Sequence, residues 1–328
     1  MGRPPLVDTE GVVDMKAFAI EGFGQPGSLH DVAVPEPGEG QVRVRVIAAG
    51  LNPFDNAVVQ GYLKDRMEHR FPLVPGMDGS GTVEAVGPGV SDWSVGDEVF
   101  GSVGKPYLGE GTLAELTTMS AGTIARKPST LDHATAAAIP TAGVTALNMA
   151  DALAIGEGQT VAAIGATGGV GSYLVQLAAK RGARVVAVCS GENGDYARSL
   201  GAADVVDYTT EEIAEAVRSR YPDGIDAIAD MHGDKEALAR LAEQVRPGGH
   251  VASVVGAVDA EALGNRGIEA ANVSGRVTTA SLEALSGMLV AGEINAPEIR
   301  SFSLVDAGEA LAAVASHHVR GKLVVTVS

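Results

Sequence analysis

The chain has 328 residues, enough for two cores on ordinary domain sizes, with 45% hydrophobic and 20% charged residues. That composition excludes a disordered or collagen-like protein. Asp plus Glu (41) outnumber Lys plus Arg (24), for a net charge of −17, a field that repels phosphate backbones and anionic lipid alike. Nucleic acid and membrane are therefore not expected partners. The single Cys189 allows neither an intramolecular disulfide nor a cysteine-rich zinc cluster, which suits a reducing, cytoplasmic setting.

In chain order, Met1 to Asp14 carries acidic residues and no apolar core, so it reads as a disordered leader rather than a secretory signal. Strand patterns follow at Lys16–Ile20, Gln41–Ala48, Thr82–Val86 and Asp97–Phe100, separated by turn clusters such as Pro35-Glu36-Pro37-Gly38. The first ~135 residues thus predict a turn-rich β domain. Alanine-rich helical segments come next, at Asp132–Ile139 and Val144–Leu153. Strands at Thr160–Ile164, Arg184–Val188, Asp204–Val206, Ala227–Ala229 and His250–Val255 then alternate with helix-length segments, including Ser172–Arg181 and Lys235–Gln244. This alternation predicts an α/β unit, a doubly wound parallel sheet over residues 136–295. The end, residues 296–328, contains Arg300–Phe302, a helix near Asp306–Ala315 and Lys322–Val327, and is expected to return to the first domain.

Positions 158 to 179 lack charge, yet Gly165, Gly168, Gly169 and Gly171 interrupt them, which argues against a membrane span. A dinucleotide loop explains them better. Ala166-Thr167-Gly168-Gly169-Val170-Gly171 follows an apolar strand and opens a helix, so Gly168 can admit a pyrophosphate, Gly171 can permit close helix packing, and free helix amides face the anion. At the end of the second strand, where a carboxylate would hold the adenosine ribose hydroxyls, stands Cys189-Ser190-Gly191. That neutral end favours NADPH over NADH, although Glu192 and Asp195 nearby oppose a 2′-phosphate.

From Met15 to Val327 the chain resembles the medium-chain dehydrogenase/reductases, and within them the zinc-independent quinone oxidoreductases of the zeta-crystallin type. Ala49-Gly50-Leu51-Asn52-Pro53-Phe54-Asp55 and Pro75-Gly76-Met77-Asp78-Gly79-Ser80-Gly81 carry the likeness. Val95 to Gly101, Pro140-Thr141-Ala142-Gly143, Arg246-Pro247-Gly248-Gly249 and Gly321-Lys322-Leu323-Val324 follow in the family's order. The resemblance implies a GroES-like catalytic domain in residues 1–135 and a Rossmann-type cofactor domain after it. Zinc-dependent relatives have Cys at Asn52 and His at Met77, so no metal site is expected here.

The likeness further implies that Asn52 lies near the nicotinamide or substrate, that Tyr62 donates a hydrogen bond or proton, and that Thr141 lies over the nicotinamide. Ser190 and Tyr208 would meet the adenosine end, with Val255, Gly256 and Lys322 as further cofactor contacts. The implied reaction is hydride transfer to a small quinone or to the C=C of an α,β-unsaturated carbonyl, in a homodimer paired through an edge strand near Gly267–Gly275. An enoyl-thioester reductase and a non-catalytic NADPH-binding protein are the alternatives. The enoyl-thioester reading asks for a basic entrance, and no clear Lys/Arg cluster marks one, although Lys64, Arg66 and Arg70 lie near Tyr62.

Overall fold

The computed structural model describes residues 14–316 and 318–327. The expected leader lies outside them, Asp14 excepted, as does His317. The first part of the chain is built from strands β1 (Asp14–Ala19), β2 (Ser28–Ala33) and β3 (Gln41–Gly50), helix α1 (Pro53–Val59), and strands β4 (Glu68–Val74), β5 (Asp78–Val86), β6 (Glu98–Ser102), β7 (Tyr107–Glu110), β8 (Leu116–Ser120) and β9 (Ile124–Arg126). Valines 42, 44 and 46 point inward from β3 while Arg43 and Arg45 pair with Glu84 outside, the period-2 division that marks a half-buried strand.

Helices α2 (His133–Ala137) and α3 (Pro140–Ala152) lead into a second unit. Its elements are β10 (Thr160–Ile164), α4 (Gly169–Lys180), β11 (Arg184–Cys189), α5 (Gly194–Ser199), β12 (Asp204–Asp207), α6 (Ile213–Arg220) and β13 (Ile225–Asp230). After them come α7 (Lys235–Ala242), β14 (Val245–Ser253), α8 (Ala260–Gly264), β15 (Glu269–Asn272) and α9 (Thr279–Val290). All six strands run parallel in the order β12-β11-β10-β13-β14-β15, with a switch point between β10 and β13. Both faces are covered. Helices α3, α4 and α9 supply Val144, Met149, Leu174, Leu177, Leu282 and Leu285 to one core, while α6 and α7 supply Val217, Leu238 and Leu241 to the other.

The chain then closes on itself. Strands β16 (Ile299–Ser303) and β17 (Lys322–Thr326) flank helix α10 (Ala307–Ala315), and β17 pairs antiparallel with β3. The last strand is therefore a member of the β-rich sheet, in the order β16-β17-β3-β5-β6-β9 with β8 also on β3. Helix α10 buries Ala307, Ala310, Leu311 and Val314 in that domain's core. One sequence expectation shifts: the strand read at His250–Val255 spans Val245–Ser253, with a register shift against β13 across the Gly248 turn. Val255 and Gly256 consequently stand beyond the strand end, and Gly256 has φ +75°.

Candidate active site

The motif around Asn52 is first of all a helix start. Asn52 is extended, Pro53 takes the first helical position, and the Asp55 carboxylate reaches back to accept the Asn52 backbone N–H at 2.7 Å. Gly50 is required just before it, since a Cβ there would meet the Ala137 carbonyl oxygen at 2.0 Å. In the antiparallel pairing of β3 with β5, Gly50 lies opposite Asp78, so the end of one strand and the start of the next deliver Asn52 and Asp78 to the same level. Thr141, near the start of α3, and Lys322, at the start of β17, complete the group.

These side chains form one buried network. The Asn52 Nδ2 donates to Asp78 Oδ2 at 2.9 Å, and Asn52 Oδ1 accepts from Lys322 Nζ at 2.7 Å. Lys322 Nζ also donates to the Leu51 carbonyl at 2.6 Å. Asp78 accepts twice more, from Thr141 Oγ1 at 2.7 Å and from the Thr141 backbone N–H at 2.9 Å. Asn52, Asp55, Asp78 and Lys322 are all buried. Burial pushes the Asp55 carboxyl up to about 7, an effect that nearby Asp78 reinforces and the Asn52 N–H and Lys322 oppose. Burial also raises Asp78 and lowers Lys322. Asp55 Oδ1 accepts from no described residue.

The glycine loop lies on the other side of the Lys322 stem. Gly165 has φ +78°, and the Gly321 N–H donates to the Thr167 carbonyl at 2.8 Å, tying the loop to the last strand. Ala166 and Thr167 are buried, whereas Gly168, Gly169 and Val170 are partly open. The glycines differ in what excludes a side chain. At Gly171 a Cβ would meet the Gly165 carbonyl oxygen at 2.2 Å; at Gly169 it would meet the Lys322 Cδ at 2.9 Å. At Gly168 the nearest atom would be 3.5 Å away, so the protein itself leaves room there. The Ser172 N–H is the first to bond back into the helix, to Gly168 at 2.9 Å, leaving the amides of Gly169, Val170 and Gly171 without intrahelical acceptors. A pyrophosphate fits this arrangement of open approach and free donors.

At the far end of β11, Cys189 is buried and Ser190 Oγ accepts from Asn193 Nδ2 at 2.9 Å. The sequence reading missed a carboxylate here. Cys189 pairs in register with Asp207 on β12, and the Asp207 carboxylate lies so close to Gly191 that a Cβ there would meet it at 2.4 Å. Bonds from Thr209 hold this carboxyl below its usual range. The signal was present, since Asp207 ends the neighbouring parallel strand. The Arg198 guanidinium faces the same corner, near Gly194, and pairs with Asp195, which is fully exposed. Tyr208 and Val255 are about half exposed, on loops at the sheet's C-terminal edge where such folds bind ligands.

The structure thus brings Asn52, Thr141 and Lys322 together, but Thr141's hydroxyl and Lys322's ammonium are both engaged inside the network. Tyr62 stands apart, on the turn after α1, 75% exposed. Met77, on the zinc-ligand position of metal-dependent relatives, is partly buried against the β-domain core. Among the described residues no three His, Cys, Asp or Glu side chains are grouped to hold a metal ion. Two histidines are tied into the β-rich domain: His133 joins Ser80 at 2.8 Å to Glu98 at 3.2 Å, and His69 Nδ1 lies 2.8 Å from the Met67 carbonyl.

Comparison with known proteins agrees with this geometry. Residues 38–129 match the family model for the alcohol dehydrogenase GroES-like domain, and residues 169–280 that for the zinc-binding dehydrogenase domain. The chain is 35% identical over 254 residues to an NADPH-dependent alkenal/one oxidoreductase of Arabidopsis thaliana, a match covering 75% of this chain and 64% of that one. The match therefore spans slightly less than two thirds of the relative's length. A quinone oxidoreductase from Coxiella burnetii superposes with a TM-score of 0.87 at 29% identity, covering 96% of this chain and all of that one. An alcohol dehydrogenase superfamily protein from Novosphingobium aromaticivorans gives 0.83 at 31% identity, with 96% and 100% covered. With both domains matched in order and full-length neighbours at this similarity, the chain belongs to the medium-chain dehydrogenase/reductase superfamily, in its quinone oxidoreductase family.

Proposed function

We propose that the protein is an NADPH-dependent, zinc-independent reductase that transfers hydride to a small quinone or to the C=C of an α,β-unsaturated carbonyl. The observation that carries this reading is the adjacency of a cofactor loop to a locked carboxamide: Gly169 rests on the stem of Lys322, whose ammonium bonds Asn52. NADPH, when bound, supplies the hydride. The chain's own residues do the rest. The amides of Gly169, Val170 and Gly171 would hold the pyrophosphate, with Ala166, Thr167 and Gly168 shaping its approach; Ser190 and Tyr208 would flank the adenosine end, and Val255 and Gly256 would border the nicotinamide side. Arg198 offers the positive charge for a 2′-phosphate against Asp207 and Glu192.

Hydride transfer to the acceptor carbon would build negative charge on its carbonyl oxygen, where a donor positioned in advance is worth more than one recruited from water. Asn52 fills that role. Thr141 holds Asp78, and Tyr62 at the rim contributes a phenol to the acceptor side. Zinc-independence rests on chemistry: Asn52 Oδ1 is committed to Lys322, and Met77 offers only a thioether. The enoyl-thioester alternative weakens because Arg70 stacks on Tyr107 and pairs with Glu68 and Glu110.

A homodimer through the edge strand β15 and a cytoplasmic location belong to the same proposal; so does the division into a catalytic unit to residue 135, a cofactor unit at 136–295 and a returning C-terminus. Strand β15 ends its sheet with one side unpaired, and no helix of the described residues is long and apolar enough to cross a membrane. NADPH oxidation against a panel of quinones, enones and enoyl thioesters tests the activity. Turnover confined to quinones or enones supports it, turnover confined to enoyl thioesters selects the alternative, and none with any acceptor selects a binding protein.

A further inference from the structure

The Asn52 carboxamide sits between two groups of fixed hydrogen-bonding sense. The Lys322 ammonium can only donate, and the Asp78 carboxylate, already accepting from Thr141, can only accept. Rotating the amide by half a turn would set N–H against ammonium and carbonyl oxygen against carboxylate, two repulsive contacts in a buried site. Charge therefore selects one orientation. An amide nitrogen carries two N–H groups, and Asp78 takes one. No direct ion pair joins Lys322 to either carboxylate among the described residues; the Asn52 carboxamide lies between Lys322 and Asp78, accepting from the one and donating to the other.

We propose that Lys322 is a positioning residue: its ammonium, anchored on the Leu51 carbonyl, fixes the Asn52 carboxamide so that the N–H not used by Asp78 is held for the acceptor's carbonyl oxygen. This assigns Lys322 a role distinct from the cofactor contact expected from sequence, and it rests on the reading of Asn52 above. The arrangement spans both domains. Lys322 comes from β17, Asn52 from the start of α1, Asp78 from β5 and Thr141 from α3, and the Lys322 stem also supports the loop at Gly169. Such a donor is set before the substrate arrives and loses no ordering entropy in the reaction.

A double-mutant cycle on the full chain tests this, using Asn52→Ala, Lys322→Met and the pair, with kcat, KM for a quinone or enone, and NADPH affinity by fluorescence titration. Methionine keeps an unbranched stem under Gly169 and removes the ammonium. If Lys322 acts through Asn52, each single variant loses about 30-fold or more in kcat, NADPH affinity stays within about threefold, and the double variant is little worse than Asn52→Ala. Multiplicative losses, or a loss of Lys322→Met confined to NADPH affinity, would overturn the proposal and return Lys322 to packing or cofactor binding. If Asn52→Ala keeps full turnover, the reading of Asn52 itself fails; if it loses turnover while Lys322→Met does not, only the present inference fails. Lys322→Met leaves two buried carboxylates without their cation, so Lys322→Met with Asp55→Asn, which removes one of those acids, provides the same comparison should the single variant not fold. In that background the kcat loss must persist with NADPH affinity retained, or the inference is wrong.

Discussion

The two ends of the proposed cofactor site are built on opposite principles. Around Asn52, polar groups are buried and bound to each other: Asp78 accepts three hydrogen bonds and the Lys322 ammonium donates two. At the C-terminal edge of the parallel sheet, by contrast, backbone amides of Gly169 to Gly171 lack intrahelical acceptors, while Tyr208 and Val255 are half exposed. One end is finished before any ligand comes; the other is left for the ligand to finish. The difference suits the division of labour proposed above, since the reacting end must not reorganise during hydride transfer, while the binding end must exchange cofactor each turnover.

The glycine loop allows the sharpest attempt to break that contrast, because two of its glycines exclude side chains for different reasons. At Gly171 the obstacle is the chain's own backbone, the Gly165 carbonyl oxygen at 2.2 Å and the Ala166 carbonyl carbon at 2.6 Å. Gly171→Ala should therefore cost about 2 kcal/mol or more and lower the apparent Tm by several degrees, measured calorimetrically without cofactor. Gly168 has φ −78° and ψ −175°, ordinary for alanine, with no atom nearer than 3.5 Å to an added Cβ. Gly168→Ala should leave the Tm within about a degree yet weaken NADPH binding about tenfold, about 1.4 kcal/mol, by obstructing the pyrophosphate. A variant that loses stability but binds NADPH normally would refute the assignment of Gly168 to the cofactor.

These two regions were also unequally legible in the sequence. The glycine loop is legible because the role proposed for it lies in backbone geometry, and strand, glycines and helix are contiguous. The sheet followed from the alternation of apolar strands with helices, and the return of the C-terminus was expected from the strand and helix patterns at the chain's end. The buried network could not be read that way. Its members come from positions 52, 55, 78, 141 and 322; the family likeness points to Asn52, Thr141 and Lys322 one by one, but not to Asp55 and Asp78 or to the bonds that join them. Only pairing in register, Gly50 opposite both Asp78 and Val324, brings them together. Asp207 is illegible for a related reason, because a ribose carboxylate is expected at the end of β11 and the acid arrives on the adjacent strand. Short strands such as β7 and β9 gave little signal, being four and three residues long.

A smaller effect, read in stability rather than turnover, probes the finished end. Burial raises Asp55 from 3.8 to about 7, so the folded chain keeps a proton there that the unfolded chain releases at lower pH. With more protons bound in the folded state across that window, stability falls as pH rises from about 4 to about 7, and levels off above it. Asp55→Asn keeps an acceptor for the Asn52 N–H and cannot ionise. Its stability relative to the parent should therefore improve steadily between those pH values, seen in chemical denaturation at pH 5, 6, 7 and 8. Asp78, raised in the same direction, stays in the variant and leaves some slope. An unchanged difference across the series would show that Asp55 is ionised throughout and that the network carries its full charge.

The smallest expected effect concerns Tyr62, the one proposed catalytic side chain on the open side of the contrast. It follows Gly61, whose φ of +75° turns the chain beside Phe23, and its backbone N–H donates to the Ala57 carbonyl at 3.0 Å. The side chain is 75% exposed. Removing its hydroxyl orphans no buried partner, so Tyr62→Phe should leave stability unchanged. A hydrogen bond from such an exposed phenol competes with water, which limits its net worth to about 1 kcal/mol, or about fivefold. Turnover of a quinone or enone should therefore drop by about that factor while NADPH affinity holds, a much smaller loss than at Asn52, where the donor is buried and fixed on both sides. A loss as large as that of Asn52→Ala would mean that Tyr62 closes over the substrate and becomes part of the preorganised site. Identical kinetics would remove it from the reaction and leave Asn52 as the acceptor's principal donor.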